Sequence, residues 1–461
     1  MPQSQEPPKD AWRVLLFARN GSELLLLKRS SGLCLPELRI PRSQRVAPNL
    51  NAEARRVWKL DTVCLSPFEV SPSPCGNGHP NYHLMEVRKP EELARVAPNF
   101  VGLRTLREDS FADARDYAIV RQAMGVDGTV YKEDSGGPFS QFGAFESISA
   151  WVEEQLRPLG LSWNGSFRQL QADNSFALVR FSTSPSAVWF KAVGEPNLRE
   201  FPITRLLASR LPQYVPELLA TRPDWNGWLA EEAQGQGLFE SSDPTTWCKT
   251  AESLADLQIA SLHHPRDLIA AGAHDVRART LSSVLIGFFS VMEEIMQEQT
   301  KTTVRKLSVQ EIGTVRDHMA AALDEFEHTG VPDALNHLDL NPCNVVVSSN
   351  QCKFLDWAEA GVGCPFFSME YLRQHFLQMC SDTPAGERTF RDAYLERWTS
   401  ILDITTAERL MRLAPLTATY AFAASALPWK NPQLRRLPEL AAYFRSLVRR
   451  MYRESERLSA D

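Results

Sequence analysis

Two short apolar runs open the patterned part of the chain, residues 12–17 (WRVLLF) and 23–28 (ELLLLK), with Arg19-Asn20-Gly21-Ser22 between them. Asn-Gly between such runs predicts an antiparallel hairpin. Residues 52–60 carry the spacing of a short helix. The stretches 62–70 and 81–88 read as strands and 107–124 as a further helix, a mixture that predicts an α/β domain. Residues 133–143 (EDSGGPFSQFG) are rich in Gly, Ser and Pro, the composition of a linker. The pattern then restarts with a helix near 145–157, strands near 166–171, 176–182 and 187–193, and a helix near 198–210. From about 245 onward the period is helical, except for a strand–loop–strand insert at 335–357. A β-rich stretch followed by a helical one predicts two lobes of unequal character.

Composition narrows the function classes. Of 461 residues, 43% are hydrophobic and 23% charged, which excludes wholesale disorder. Lys and Arg number 50 against 56 Asp and Glu, a net charge of −6, and no basic run is present, so nucleic acid is not the expected partner. The eight cysteines form no C-x-x-C and read as reduced thiols. Residues 1–10 are a polar, proline-rich tail without an apolar secretory segment. The uncharged stretch 413–429 holds Thr, Ser, Tyr and two prolines, and reads as a buried helix instead of a membrane span. A cytoplasmic protein without a membrane partner is expected; the sequence leaves its oligomeric state open.

The most informative segment is LNHLDLNPCNVVVSSNQCKFLDWAEAG, residues 335–361. Asp339 and Asn344 lie five residues apart in a loop containing Pro342, so they can converge on one point. Asp356 follows the returning strand of a hairpin whose turn is Ser348-Ser349-Asn350. Two carboxylates and an amide oxygen are hard ligands, a set that suits Mg²⁺ beside phosphate oxygens and a hydroxyl nucleophile. His337 reads as a structural histidine and Trp357 as core.

This segment resembles the catalytic core of the aminoglycoside phosphotransferase family, relatives of choline kinases and protein kinases. The family pattern H-G-D-x-x-x-x-N, strand, D-W/F stands here as His337-Leu338-Asp339, Asn344 and Asp356-Trp357. The resemblance implies that Asp339 faces the acceptor hydroxyl and that Asn344 and Asp356 are magnesium ligands. It implies further that Lys191, in AVWFKAV, holds the ATP phosphates and that Glu200, on the following helix, positions Lys191. Residues 227–238 resemble the hinge, whose backbone meets adenine near Glu231, Glu232 and Ala233. Three departures stand out. The phosphate-covering loop ADNSF (172–176) lacks glycine, Leu338 replaces the family's Gly, and two supporting acids after Asp356-Trp357 are missing, with Ser368 in that region.

Residues 11–132 resemble a Nudix domain, by WRVLLFARNGSELLLLKRSSGLCLPELRIP. The metal-holding glutamates of that family are replaced in Arg55-Arg56-Val57-Trp58-Lys59-Leu60, which implies a non-hydrolytic module. The expected organisation is a tail (1–10), a Nudix-like α/β module (11–132), a linker (133–143), and a two-lobed protein-kinase-like α+β domain with small lobe 144–234 and large lobe 235–461. The expected activity is Mg²⁺- and ATP-dependent transfer of the γ-phosphate to a hydroxyl of a small-molecule acceptor. The alternative is a non-catalytic nucleotide-binding or ligand-sensing pseudokinase with a regulatory Nudix-like module.

Overall fold

The hairpin signalled by Asn-Gly forms: the strand Lys9–Ala18 pairs antiparallel with Glu23–Leu25, Phe17 opposite Leu24. The computed structural model describes residues 8–18, 21–42, 44–66, 81–96, 99–123, 139–349, 351–380 and 383–460. Arg19 and Asn20 of the turn, and residues 67–70 of the strand expected at 62–70, lie outside the described residues. The chain divides into two units, 1–201 with 217–232, and 202–216 with 233–461.

The first unit contains two main sheets and a two-stranded ribbon, Leu27–Arg29 with Gly32–Cys34. In one, Lys9–Ala18 is central, parallel to Asn81–Val87 on one side and antiparallel to Glu23–Leu25 and Glu37–Pro41 on the other. Thr62–Leu65 and Phe100–Gly102 complete it at its edges. The other is antiparallel and five-stranded, in the order Leu218–Arg222, Gly227–Glu231, Val188–Val193, Phe176–Thr183, Trp163–Ala172. One apolar core serves both. It joins Val14, Leu16, Leu50, Val63 and Leu84 to Phe145, Val152, Val179, Phe181, Phe190 and Leu229.

The core therefore crosses the boundary expected at 133–143. Residues 133–138 lie outside the described residues, but 139–143 do not behave as a spacer. Phe139 is buried, its carbonyl accepts the Ser66 amide at 2.9 Å, and Phe142 packs on Phe17 with ring centroids 5.0 Å apart. Gly and Ser loosen a chain locally, yet a buried phenylalanine contributes roughly 1.5–3 kcal/mol and fixes the segment. The helix expected at 52–60 spans Val46–Trp58 and ends at Lys59, whose φ is 58°. The helix expected at 107–124 is shortened to Ala114–Ala123, since 103–105 and 108–110 form tight turns.

The second unit is mainly helical around its own core. Its helices carry local start and stop signals: Val309–Thr329 begins with a Ser308/Glu311 capping box and ends at Gly330, φ 64°. The helical stretch expected from about 245 opens with Pro244–Ser261, capped by Asp243, and Pro265–Ala270 follows it. The stretch 413–429 lies mostly in the buried helix Ile404–Ser425. Two small sheets carry the 335–357 insert, one built from Gln236–Gly237, Val345–Val347 and Cys352–Phe354, the other from His274–Val276, Ala360–Gly363 and Ala334–His337. Among the described residues no helix is long and apolar enough to cross a membrane. The seven described cysteines are free thiols; Cys75 lies outside the described residues.

Candidate active site

In the second unit the chain folds back on itself between Asp339 and Asn344. The Asn341 amide donates to the Asp339 carbonyl at 2.7 Å, the Asn344 amide to the Asn341 carbonyl at 2.8 Å, and the Asn341 side chain accepts the Cys343 amide at 3.1 Å. Pro342 opens the single helical turn Pro342–Asn344, where a missing N–H is tolerated. The result brings the Asn344 side-chain amide 3.4 Å from the Asp339 carbonyl oxygen. The hairpin registers Val345 opposite Phe354 and Val347 opposite Cys352. One further bond, from the Leu355 amide to the Asn344 carbonyl at 2.8 Å, sets Asp356 next to the residue paired with Asn344. Asp339 and Asp356 are both exposed, as groups that meet a solute must be. Asp356 has φ 64° and ψ 65°, a left-handed conformation that Asp tolerates better than most residues and that clusters at functional sites.

His337 is buried with Nε2 2.8 Å from the Leu355 carbonyl, and its ring lies 4.8 Å from that of Trp357. Burial pushes its pKa below the usual histidine value, so the ring is a neutral strut between the two strands. Its Nδ1 is buried without a hydrogen-bond partner. Ser368 braces the His337 backbone. Its hydroxyl oxygen accepts the His337 amide at 2.8 Å and its own proton goes to Asn336 Oδ1 at 2.9 Å. The Asn336 side chain donates in turn to the Ala334 and Gly363 carbonyls. A neutral hydroxyl–amide network thus holds the loop.

The surroundings of Asp339 escaped sequence reasoning. The Asp339 charge is felt at Tyr371, His375 and Tyr443, with Arg450 and Glu359 acting on the same tyrosines. Burial raises both phenol pKa values and lowers that of His375, so these side chains are neutral near pH 7. Tyr443 and Arg450 come from the last helix, Pro438–Ala460, over which the sequence carries no motif. Asn344 and Asp356 supply hard oxygen atoms, which fit magnesium; among the described residues no three His, Cys, Asp or Glu side chains gather into a metal site.

In the first unit, Lys191 Nζ lies 2.5 Å from Glu200 Oε1, with Glu200 almost fully buried. The ammonium also lies 5.4 Å from the Phe176 ring centroid and 5.8 Å from that of Trp228. Lys191 is on the strand Val188–Val193, and Glu200 opens the helix Glu200–Arg210. At the end of the strand Gly227–Glu231, the Glu231 amide donates to the Glu217 carbonyl and the Glu232 amide to the Ala187 carbonyl. The Glu232 carboxylate is engaged by Arg180 at 2.6 and 2.8 Å and by Trp189 Nε1 at 3.1 Å, which holds its pKa below the ordinary carboxylate value. Its side chain is a structural clamp. Ala233 begins the second unit.

Solved structures similar to this chain include small-molecule kinases at low identity. An ethanolamine kinase from Plasmodium vivax is 13% identical, covering 72% of this chain and 94% of its own, with a TM-score of 0.45. A choline kinase from Cryptosporidium parvum is 10% identical over 68% and 96%, TM-score 0.47. A macrolide 2'-phosphotransferase from Brachybacterium faecium is 15% identical over 65% and 97%, TM-score 0.44. No protein-family model matches the chain, and no curated protein matches it. The Nudix resemblance of residues 11–132 finds no support in these comparisons. In the segment where that family's glutamates are replaced, Arg55 and Arg56 are exposed at the end of their helix, paired with Asp61 and Glu53.

Proposed function

We propose that this chain is a Mg²⁺-dependent phosphotransferase that moves the γ-phosphate of ATP to a hydroxyl of a small molecule. What carries the reading is the hairpin that presents Asp339, Asn344 and Asp356 together, with the Asn344 carbonyl bonded to the amide preceding Asp356. The exposed Asp339 carboxylate accepts the proton of the acceptor hydroxyl as it attacks. Asn344 and Asp356 hold magnesium, which neutralises phosphate charge when bound. Lys191, held by Glu200, clamps the phosphates, and the backbone from Glu231 to Ala233 meets adenine. The acceptor is placed against Tyr371, His375 and Tyr443. Catalysis of this kind is positioning and charge neutralisation.

The test is a melting experiment with Mg-ATP followed by a screen of small alcohols and amino alcohols for ADP release. At about 100 times its dissociation constant a ligand contributes roughly 2.7 kcal/mol, a readable shift in Tm. No shift in a folded sample at millimolar Mg-ATP would refute the reading.

A further inference from the structure

The loop between the strands Trp163–Ala172 and Phe176–Thr183 contains an anion of its own. Asp173 Oδ1 accepts the amides of Ser175 and Phe176, both at 2.9 Å, and the Ser175 hydroxyl at 2.5 Å. Asp173 Oδ2 accepts from the Gln171 side-chain amide. The Asp173 amide donates to the Phe176 carbonyl at 3.2 Å, closing the turn. The tip is pinned to the following strand, because the Gly194 amide donates to the Ser175 carbonyl at 2.9 Å. A Cβ at residue 194 would stand 2.0 Å from the Asn174 carbonyl oxygen, so only glycine permits the approach. The glycine missing from the loop itself is found opposite it.

Successive backbone N–H groups in a turn form a concavity for anions, and a loop that covers nucleotide phosphates offers them such groups. Here two of those groups are already taken by a carboxylate. The Phe176 ring, whose amide Asp173 holds, is the ring beside the Lys191 ammonium. Asp173 thus places negative charge on the loop assigned to the phosphates.

We propose that Asp173 discriminates against the polyphosphate tail: its carboxylate occupies the loop amides in place of a phosphate and opposes a second anion at the loop, leaving recognition of the base untouched. The proposal rests on the nucleotide reading above.

The full-length chain is titrated calorimetrically with Mg-ATP, with adenosine and with inorganic tripolyphosphate plus magnesium. Asp173→Asn keeps an oxygen to close the turn but removes the charge; Asp173→Gly frees the amides as well. Affinity for ATP and for tripolyphosphate is expected to rise about tenfold or more in both variants, with adenosine unchanged. Unchanged or weakened ATP binding in Asp173→Asn, where the original chain binds ATP, overturns it and leaves the nucleotide reading standing. An equal rise for adenosine and ATP overturns it too. Absence of binding of all three probes by cooperatively melting samples of every form overturns both.

Discussion

Gln169 and Cys64 are hydrogen-bonded to each other twice, the Cys64 amide donating to Gln169 Oε1 at 2.8 Å and Gln169 Nε2 donating to the Cys64 carbonyl at 3.0 Å. A side chain here completes a strand's backbone pairing. Asn51 adds a third bond to the same Oε1 at 3.0 Å. Gln169 lies on the first strand of the five-stranded sheet and Cys64 on the edge strand of the other, so this bond pair ties the two sheets of the first unit. Arg88 reinforces the tie, paired with Asp61 at 2.8 Å while its guanidinium lies 4.3 Å from the Phe145 ring centroid.

Replacing Gln169 by Leu leaves the buried Cys64 amide and carbonyl without partners. Each orphaned group costs about 1–3 kcal/mol, so urea denaturation should show a loss of about 2–6 kcal/mol. A chain beginning at Ala144 exposes Phe145, Val179, Phe181 and Phe190 and is expected to aggregate; a soluble, cooperatively melting fragment would contradict the shared core.

Two aspartates should separate by role. Asp356→Ala is expected to weaken Mg-ATP binding and abolish transfer together. Asp339→Asn should leave nucleotide affinity nearly unchanged while turnover falls about 10²–10⁴-fold, the range for losing a positioned base. Calorimetry beside single-turnover rates reads both, and equal loss of affinity in the two variants would show the roles misassigned.

Lys191→Met removes the ammonium from a glutamate that is almost fully buried. Stability should fall by about 3 kcal/mol, the lower end for breaking a buried pair from one side. Adding Glu200→Leu should restore most of that stability without restoring nucleotide affinity, a split that chemical denaturation and calorimetry measure on the same samples.

Glu86 gives a pH signature. Its carboxylate is buried, accepts the Gly143 amide at 2.8 Å, and has its pKa pushed up to about 7, chiefly by burial. Because the folded value lies above the unfolded one near 4.5, the folded state holds its proton longer. Stability from this group is full below about 4.5 and declines as pH rises toward 7. Glu86→Gln should therefore match the original chain near pH 4.5 and exceed it at pH 8, as denaturation midpoints would show. Parallel pH profiles would refute the assignment.

The parts legible in the sequence are those where a few consecutive residues suffice. Asp339, Asn344 and Asp356 were visible because one hairpin brings them together within a single short segment. The strand carrying Lys191 and the helix beginning at Glu200 follow from local periodicity. What the sequence concealed depends on residues far apart. Ser368 braces the loop only because its helix reaches the His337 amide, and Gly194 relieves a loop on another strand. Composition read Phe139–Gly143 as linker since Gly, Ser and Pro speak of local freedom, while Phe139 and Phe142 find their surface in the first sheet. Tyr443 reaches the neighbourhood of Asp339 from a helix more than a hundred residues on, by packing alone.

The contact between Asn174 and Gly194 also divides substitutional freedom unequally. Asn174 enters it through its carbonyl oxygen, which every amino acid carries, and its side-chain Oδ1 is buried without a partner. A smaller residue there gives up nothing that is bonded and relieves a desolvated acceptor. At 194 the missing side chain is itself the requirement. The tightest sequence constraint in this part of the molecule thus falls on a residue with no chemistry of its own, while its partner in the loop is open to drift.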